Sequence, residues 1–424
     1  MWEKIRQIWK VKELRNKILF ILGMLVIFRL AAHVPIPGIN VENLKNLFES
    51  NQLLGLLNLF TGGGMENFSV VMLGIGPYIT ATIIFQLLTM IIPKLEEMQK
   101  EGEAGRAKLT QYQRILTVPL AAMSGYGMIT FLRNSGQGII DEMTIFNLVT
   151  TIITITGGTM FLMWIGELIT EKQIGNGISL LIFAGIVASF PTQVQQTLAT
   201  FDAANIGALI AFLVIGVITV TAIVIITEGQ RNIPVSYAKR IRGMRMYGGV
   251  DTHLPLKVNQ AGVIPIIFAV SIVLFPPMIG QFFVNSDTAW LAAGAQFVID
   301  IFENQLFYAA IYFIMVVAFT YFYTAVIFHP TQIAENLQKQ GGFIPGIRPG
   351  RNTADFLSYV SNRIILGGAL FLGVVAILPN ILQSATNITT LVIGGTSLLI
   401  VVSVVIELVK QIESQLVMRN YEGF

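Results

Sequence analysis

The chain has no cysteine in its 424 residues. That excludes disulfides, thiolate catalysis and cysteine-ligated zinc in one step. Charge is scarce as well, at 12% of residues, where a soluble domain carries about a quarter. The three histidines, His33, His253 and His329, lie far apart and no H-E-x-x-H motif joins any two of them, so no metal site is expected. Also missing are a G-x-x-x-x-G-K-[ST] loop, a G-x-S-x-G elbow and paired carboxylates inside an apolar stretch. Their absence removes the usual signatures of an intrinsic ATPase or hydrolase. No cofactor is expected and the chain does not read as an enzyme.

What the chain has is apolar length. Hydrophobic residues make up 54% of it, so lipid solvates most of the chain. At about 20 apolar residues per crossing, there is room for around ten spans. Runs of that kind occur near Ile18–Val34, Val70–Ile92, Ile115–Leu132, Leu148–Gly166 and Ile206–Ile226. Four more lie near Ala261–Phe283, Leu306–Phe328, Ile364–Leu382 and Leu391–Val409. Ile178–Phe190 is a short tenth candidate that reaches about Gln195 only with polar residues facing protein. The basic segment Met1–Lys17 could open a signal peptide. The apolar run behind it, however, ends at Val34-Pro35-Ile36-Pro37-Gly38 without a small-residue cleavage site. A first span that stays in place is the better reading.

The basic residues test the count. Lys and Arg number six before span 1, five at 93–114, one at 167–177, six at 228–257, four at 329–363 and two after span 10. Those are 24 of the 27. The loops between hold Lys45 and Arg133, and Arg29 sits near the outer end of span 1. This alternation follows the positive-inside rule. It gives ten spans with both termini in the cytoplasm, and without the short fifth span every later loop has the wrong sign. Five spans fall on each side of the 190–206 connection, so any structural repeat is inverted in the membrane.

Four features bear on function. The stretch Gly55-Leu56-Leu57-Asn58-Leu59-Phe60-Thr61-Gly62-Gly63-Gly64 and on to Asn67 is too apolar for an ordinary outer loop and too glycine-rich to span. It reads either as a re-entrant element enclosed by protein or as a helix lying on the interface. Ionisable residues are nearly absent inside the spans: Glu167, Glu228 and Glu407 fall at cytoplasmic ends. A central charge costs roughly 2.5–3.5 kcal/mol or more, and ion-coupled carriers retain theirs. Isoleucines accompany helix-loosening residues at Ile75 and Ile79 around Gly76-Pro77, where a kink is expected. Others are Ile178 and Ile182 after Gly175-Asn176-Gly177, Ile264 and Ile267 around Pro265, and Ile400 after Gly394-Gly395. Each is either ordinary packing or part of a dewetting constriction. The loops 228–257 and 329–363 are basic and long, suiting lipid headgroups or an acidic partner such as ribosomal RNA.

Several motifs resemble the SecY family in its bacterial form, in register along essentially the whole chain. They are Lys100-Glu101-Gly102-Glu103-Ala104-Gly105-Arg106, Gly175-Asn176-Gly177-Ile178-Ser179, and His253-Leu254-Pro255-Leu256-Lys257-Val258-Asn259 before Gly262-Val263-Ile264-Pro265. Gly346-Ile347-Arg348-Pro349-Gly350 and the closing Arg419-Asn420-Tyr421-Glu422-Gly423-Phe424 complete the set. The resemblance implies an all-α integral membrane protein, with ten transmembrane helices in two inverted five-helix halves around a central pore. The halves would be 1–190, with a plug at about 55–67, and 191–424, with the two basic loops. Ile75, Ile79, Ile178, Ile182, Ile267 and Ile400 would form a pore ring, and Gly55 to Gly64 the plug. Thr80, Gln86 and Asn259 would be lateral-gate contacts. Arg240, Arg242, Arg348 and Arg351 would dock partners. The implied function is a channel of the bacterial cytoplasmic membrane that passes unfolded secretory polypeptides and releases transmembrane segments into the lipid bilayer. Its partners would be the small subunits SecE and SecG, the motor ATPase SecA, the ribosome, signal peptides and secretory precursors. From residue chemistry alone, a secondary transporter or small-solute channel stays open, though the charge-free spans count against it.

Overall fold

The computed structural model describes residues 6, 9–50, 58, 61–134, 138–140, 144–199, 206–237, 240–242, 245–247, 252–284, 288–386 and 395–422. Helices come first in chain order: α1 (Lys12–Ala31), α2 (Val41–Ser50), α3 (Gly76–Ile91), α4 (Pro93–Lys100), α5 (Glu103–Asn134), α6 (Ile145–Glu171), α7 (Gly177–Ala199) and α8 (Ile206–Glu228). Strands β1 (Gln230–Tyr237), β2 (Arg240–Arg242), β3 (Arg245–Tyr247) and β4 (Thr252–Lys257) follow. The remainder is α9 (Ile264–Phe283), α10 (Ala289–Glu303), α11 (Gln305–Ile327), α12 (Pro330–Lys339), β5 (Gly342–Phe343), α13 (Arg351–Thr386) and α14 (Gly395–Glu422). A helix therefore occupies each of the ten expected span positions. Among the described residues, four are long and apolar enough by themselves to cross a membrane, and the bent pair α3–α4 makes a fifth.

Local chemistry explains where the helices start and turn. Asn176 caps α7, its Oδ1 accepting from Ile178 N at 3.0 Å and Ser179 N at 3.3 Å. Asn40 does the same for α2, and Thr144 for α6. These satisfy amides that a helix start leaves without partners. Pro77, Pro93 and Pro330 sit in first turns, where a missing N–H is harmless. The expected kink at Gly76-Pro77 is thus not there: the proline begins α3 instead of bending it, and Pro265 is likewise the second residue of α9. The real bend lies between α3 and α4, at 103°. Ile92 is extended there, the conformation that a following proline imposes. Span 2 also starts later than its apolar run, because residues 70–75 are turns.

The chain divides into two compact units, one of Met1–Asp202, Leu274–Gln305 and Val404–Phe424, the other of Ala203–Val273 and Leu306–Ser403. In the first, a core gathers Leu44, Leu47 and Phe48 of α2, Phe68, Met72 and Leu73, then Ala121, Met128 and Leu132 of α5, and Ile155 of α6. Helix α2 was not anticipated; its apolar side belongs to this core. In α4, Lys100 Nζ donates to Glu96 Oε1 at 2.6 Å and holds that exposed carboxylate below its usual range.

The second unit contains strands within the two long basic loops. Antiparallel strands run in the order β4-β1-β5, with Gln230 opposite Lys257, Val235 opposite Thr252, and Tyr237 opposite Gly342. One sheet so joins the 228–257 and 329–363 segments. Beneath it lie Ile233, Val235, Leu256, Ile344, Leu357 and Val360. The loops are a folded platform with its own small core.

Candidate functional site

The glycine-rich segment is clearest in the first unit. Gly55, Leu56, Leu57, Leu59 and Phe60 lie outside the described residues; Asn58 and Thr61–Gly64 lie within them. From Thr61 to Ile75 the backbone is almost wholly turns, and Thr61, Gly62, Gly64, Met65, Phe68, Ser69, Val71, Met72 and Leu73 are buried. A buried stretch of turns must find its own hydrogen bonds. It does: Gly63 N donates to Asn58 O at 2.9 Å, Ser69 N to Gly64 O at 2.9 Å and Met72 N to Ser69 O at 2.9 Å. Two further bonds tie it to the segment after α1: Ile36 N donates to Phe68 O at 2.9 Å and Val70 N to Val34 O at 3.0 Å.

Glycines let helices approach this knot. A Cβ on Gly62 (φ +68°) would lie 2.9 Å from Phe28 Cζ of α1 and 3.0 Å from Gly185 Cα of α7. On Gly158 of α6 a Cβ would collide with Val70 O. The segment is thus enclosed by α1, α6 and α7. Non-helical backbone at depth needs protein around it; of the 55–67 stretch read as re-entrant or interfacial, Asn58 and residues 61–67 fall among the described residues.

The six isoleucines all sit near helix beginnings. Ile75 is the residue that precedes α3 and is buried, and Ile79 N donates to its carbonyl at 3.0 Å. Ile178 and Ile182 are in the first two turns of α7, where Ile182 is buried. Ile178 packs on α6, its Cγ1 3.5 Å from a Cβ placed on Gly166. Ile267 lies in the first turn of α9 and Ile400 in the second turn of α14, both buried; Ile264 is the first residue of α9 and half-buried.

Of the other residues, Thr80 is half-buried and donates to Gly76 O at 3.2 Å. Gln86 is half-buried, and its Oε1 is enclosed without a hydrogen-bond partner. Asn259 is buried; its Nδ2 donates to Gly262 O at 3.1 Å, while its Oδ1 has no partner. Unpaired amide oxygens cost free energy unless something meets them. Arg240 and Arg242 lie in β2, paired with Tyr247 and Arg245 of β3, and their side chains fall outside the described residues. Arg348 and Arg351 are exposed. Gly346 and Gly350 adopt positive φ around Arg348, whose carbonyl accepts from Thr353 Oγ1 at 2.9 Å. The glycine–arginine turn therefore presents Arg348 at the start of α13.

Two contacts escaped the sequence reading. Arg29 Nη1 donates to Gly62 O; the signal was a lone charge inside a span. The 173–175 turn is held by α14, through Gly175 N to Gln411 Oε1 and Gln415 Nε2 to Gln173 O at 2.7 Å. Spacing alone did not announce that pairing.

Fold and site together define a multi-pass helical membrane protein with non-helical backbone enclosed among its helices. The family model SecY matches residues 69–409. The chain is 45% identical over 432 residues to the protein translocase subunit SecY of Mycobacterium bovis, covering 97% of each chain. To the same subunit of Streptomyces galbus it is 45% identical over 434 residues, covering 98% of each. Among solved structures it is similar to one described as a protein-conducting channel, with a TM-score of 0.60 at 20% identity, over 94% of this chain and 91% of that one. Sec61 in the canine ribosome–channel complex from the endoplasmic reticulum gives 0.57 at 18%, over 94% and 91%. This chain belongs to the SecY family.

Proposed function

We propose that the chain is the central channel-forming subunit of a protein translocase, conducting unfolded secretory polypeptides across the bacterial cytoplasmic membrane and releasing apolar segments sideways into lipid. The observation that carries this is the 61–75 knot: buried turns held between helices of a chain whose family is the translocase subunit. Ten spans, with both termini in the cytoplasm, form two halves, 1–190 and 191–424. By the family resemblance, the pore-ring role falls to Ile75, Ile79, Ile178, Ile182, Ile267 and Ile400, and the plug role to residues 55–64. A ring of branched apolar side chains yields around any passing polypeptide, and when empty it disfavours a continuous column of water. Each central Leu, Ile, Phe or Val gains about 0.3–0.6 kcal/mol on leaving for lipid, which favours sideways release. Thr80, Gln86 and Asn259 act at the lateral gate; enclosed amide oxygens at Gln86 and Asn259 suit a surface that opens.

The channel is passive, and a motor or the membrane potential supplies the work. SecE and SecG accompany it in the membrane. Arg240 and Arg242 of β2, with Arg348 and Arg351 at the start of α13, receive SecA or the ribosome. The test is reconstitution with SecE, SecA and a secretory precursor, followed by ATP-dependent protease protection. Protection of the precursor supports the reading; small-solute flux without protection ends it.

A further inference from the structure

Span 1 carries one charge within its apolar stretch, and neither topology nor the proposed pore uses it. A cation inside a span persists where it meets a carbonyl, an opposite charge or water. Arg29 meets the first directly and the second only through space. Its Nη1 donates to Gly62 O, a carbonyl in a turn that no helical ladder serves. Gly63 lies alongside, since a Cβ there would be 3.7 Å from Nη1. The Glu66 carboxylate of the same segment acts on it through space, without direct contact. That carboxylate is itself held, with Oε2 accepting from Asn58 Nδ2 at 2.9 Å and Glu66 N donating to Asn58 Oδ1 at 3.1 Å. Next to Arg29, Phe28 closes against Gly62. One helix thus offers a ring and a guanidinium to successive points of the glycine turn.

We propose that Arg29 is a positioning residue that latches the Thr61–Asn67 turn in place. Its charge-assisted bond to Gly62 O, with Glu66 as counter-charge, must break before the segment can leave its seat. The proposal rests on the reading of 55–67 as the plug, of which Asn58 and Thr61–Asn67 are described. Charged donors make bonds roughly twice as strong as neutral ones, so neutralising Arg29 shifts the seated–displaced equilibrium about tenfold. The contact uses one nitrogen, so lysine can replace it in part, whereas glutamine cannot supply the charge.

A chain without cysteine permits a clean test. Ser69 is fully buried behind the turn, its Oγ 3.1 Å from a Cβ placed on Gly64 and without a hydrogen-bond partner, so Ser69→Cys introduces one nearly isosteric thiol that departure of the turn uncovers. In the reconstituted translocase, labelling by a membrane-impermeant maleimide reports departure of the segment. Arg29→Gln is expected to raise the labelling rate about tenfold, with Arg29→Lys restoring most of the parental rate. Asn58→Ala, which frees Glu66 without touching Arg29, should raise it about threefold and decides the matter if Arg29→Gln fails to assemble. An unchanged rate in these variants overturns the latch, as does an equal rise with lysine. Resting ion flux is read in parallel. Faster labelling without ion leak keeps the latch and removes the plug reading.

Discussion

Gly175 donates its backbone N–H to the side-chain oxygen of Gln411, 236 residues further along the chain. Gln415, one turn on, holds Gln173 O at 2.7 Å, and a Cβ on Gly175 would meet Leu408 at 3.0 Å. The last helix therefore grips the turn that launches α7 and its two isoleucines.

That grip has a measurable worth. At about 1 kcal/mol for each hydrogen bond, removing both raises local opening about thirtyfold. Lys172 lies beside the turn, with Nζ 4.7 Å from the centre of the Phe20 ring. Trypsin cleavage after Lys172 should therefore accelerate by that factor in the double variant Gln411→Ala with Gln415→Ala. Unaltered cleavage would mean that the contact holds nothing in place.

The close approach of α6 to the buried knot gives a second prediction with an internal control. Gly158→Ala drives a methyl into Val70 O, while Gly157 has nothing within 4 Å of its position. Overpacking typically costs about 1–3 kcal/mol, whereas Ala for Gly in an open helix gains up to about 1 kcal/mol. Thermal unfolding in detergent should show Gly158→Ala clearly destabilised and Gly157→Ala unchanged or firmer. Equal midpoints would deny the close contact.

Which parts were legible in the sequence follows from what apolar counting can distinguish. Helix positions were, because each apolar run is long enough to need a helix around it. The start of span 2 was not, because Val70–Ile75 is as apolar as a helix would be; Gly74 at φ +57° and Pro77 mark the turn, but composition cannot tell a buried turn from a buried helix. The strands went unread although Ile233 and Val235, like Leu254 and Leu256, alternate with a period of two; the surrounding arginines drew the reading toward topology and docking. At the site, the isoleucines could be found beside glycine and proline. The direction each one faces depends on how helices cross, and Ile178 against Gly166 shows how a neighbour sets it.

The platform makes a third prediction. Arg348 is exposed on a turn fixed by Gly346 and Gly350 at positive φ, with no place in the small core beneath. Arg348→Glu should reduce export more than tenfold if that charge receives a motor or ribosome, while the amount of channel in the membrane stays level. Quantitative immunoblotting beside precursor processing separates the two. Undiminished processing would remove Arg348 from docking.

The central claim is that an apolar, uncharged waist excludes water at rest. Resting conductance across planar bilayers tests it most directly, comparing the parent with Ile79→Asn and Ile400→Asn. The account predicts a near-silent parent and a steady ion leak in both variants. Conductance that stays silent with a polar side chain at either position would contradict it.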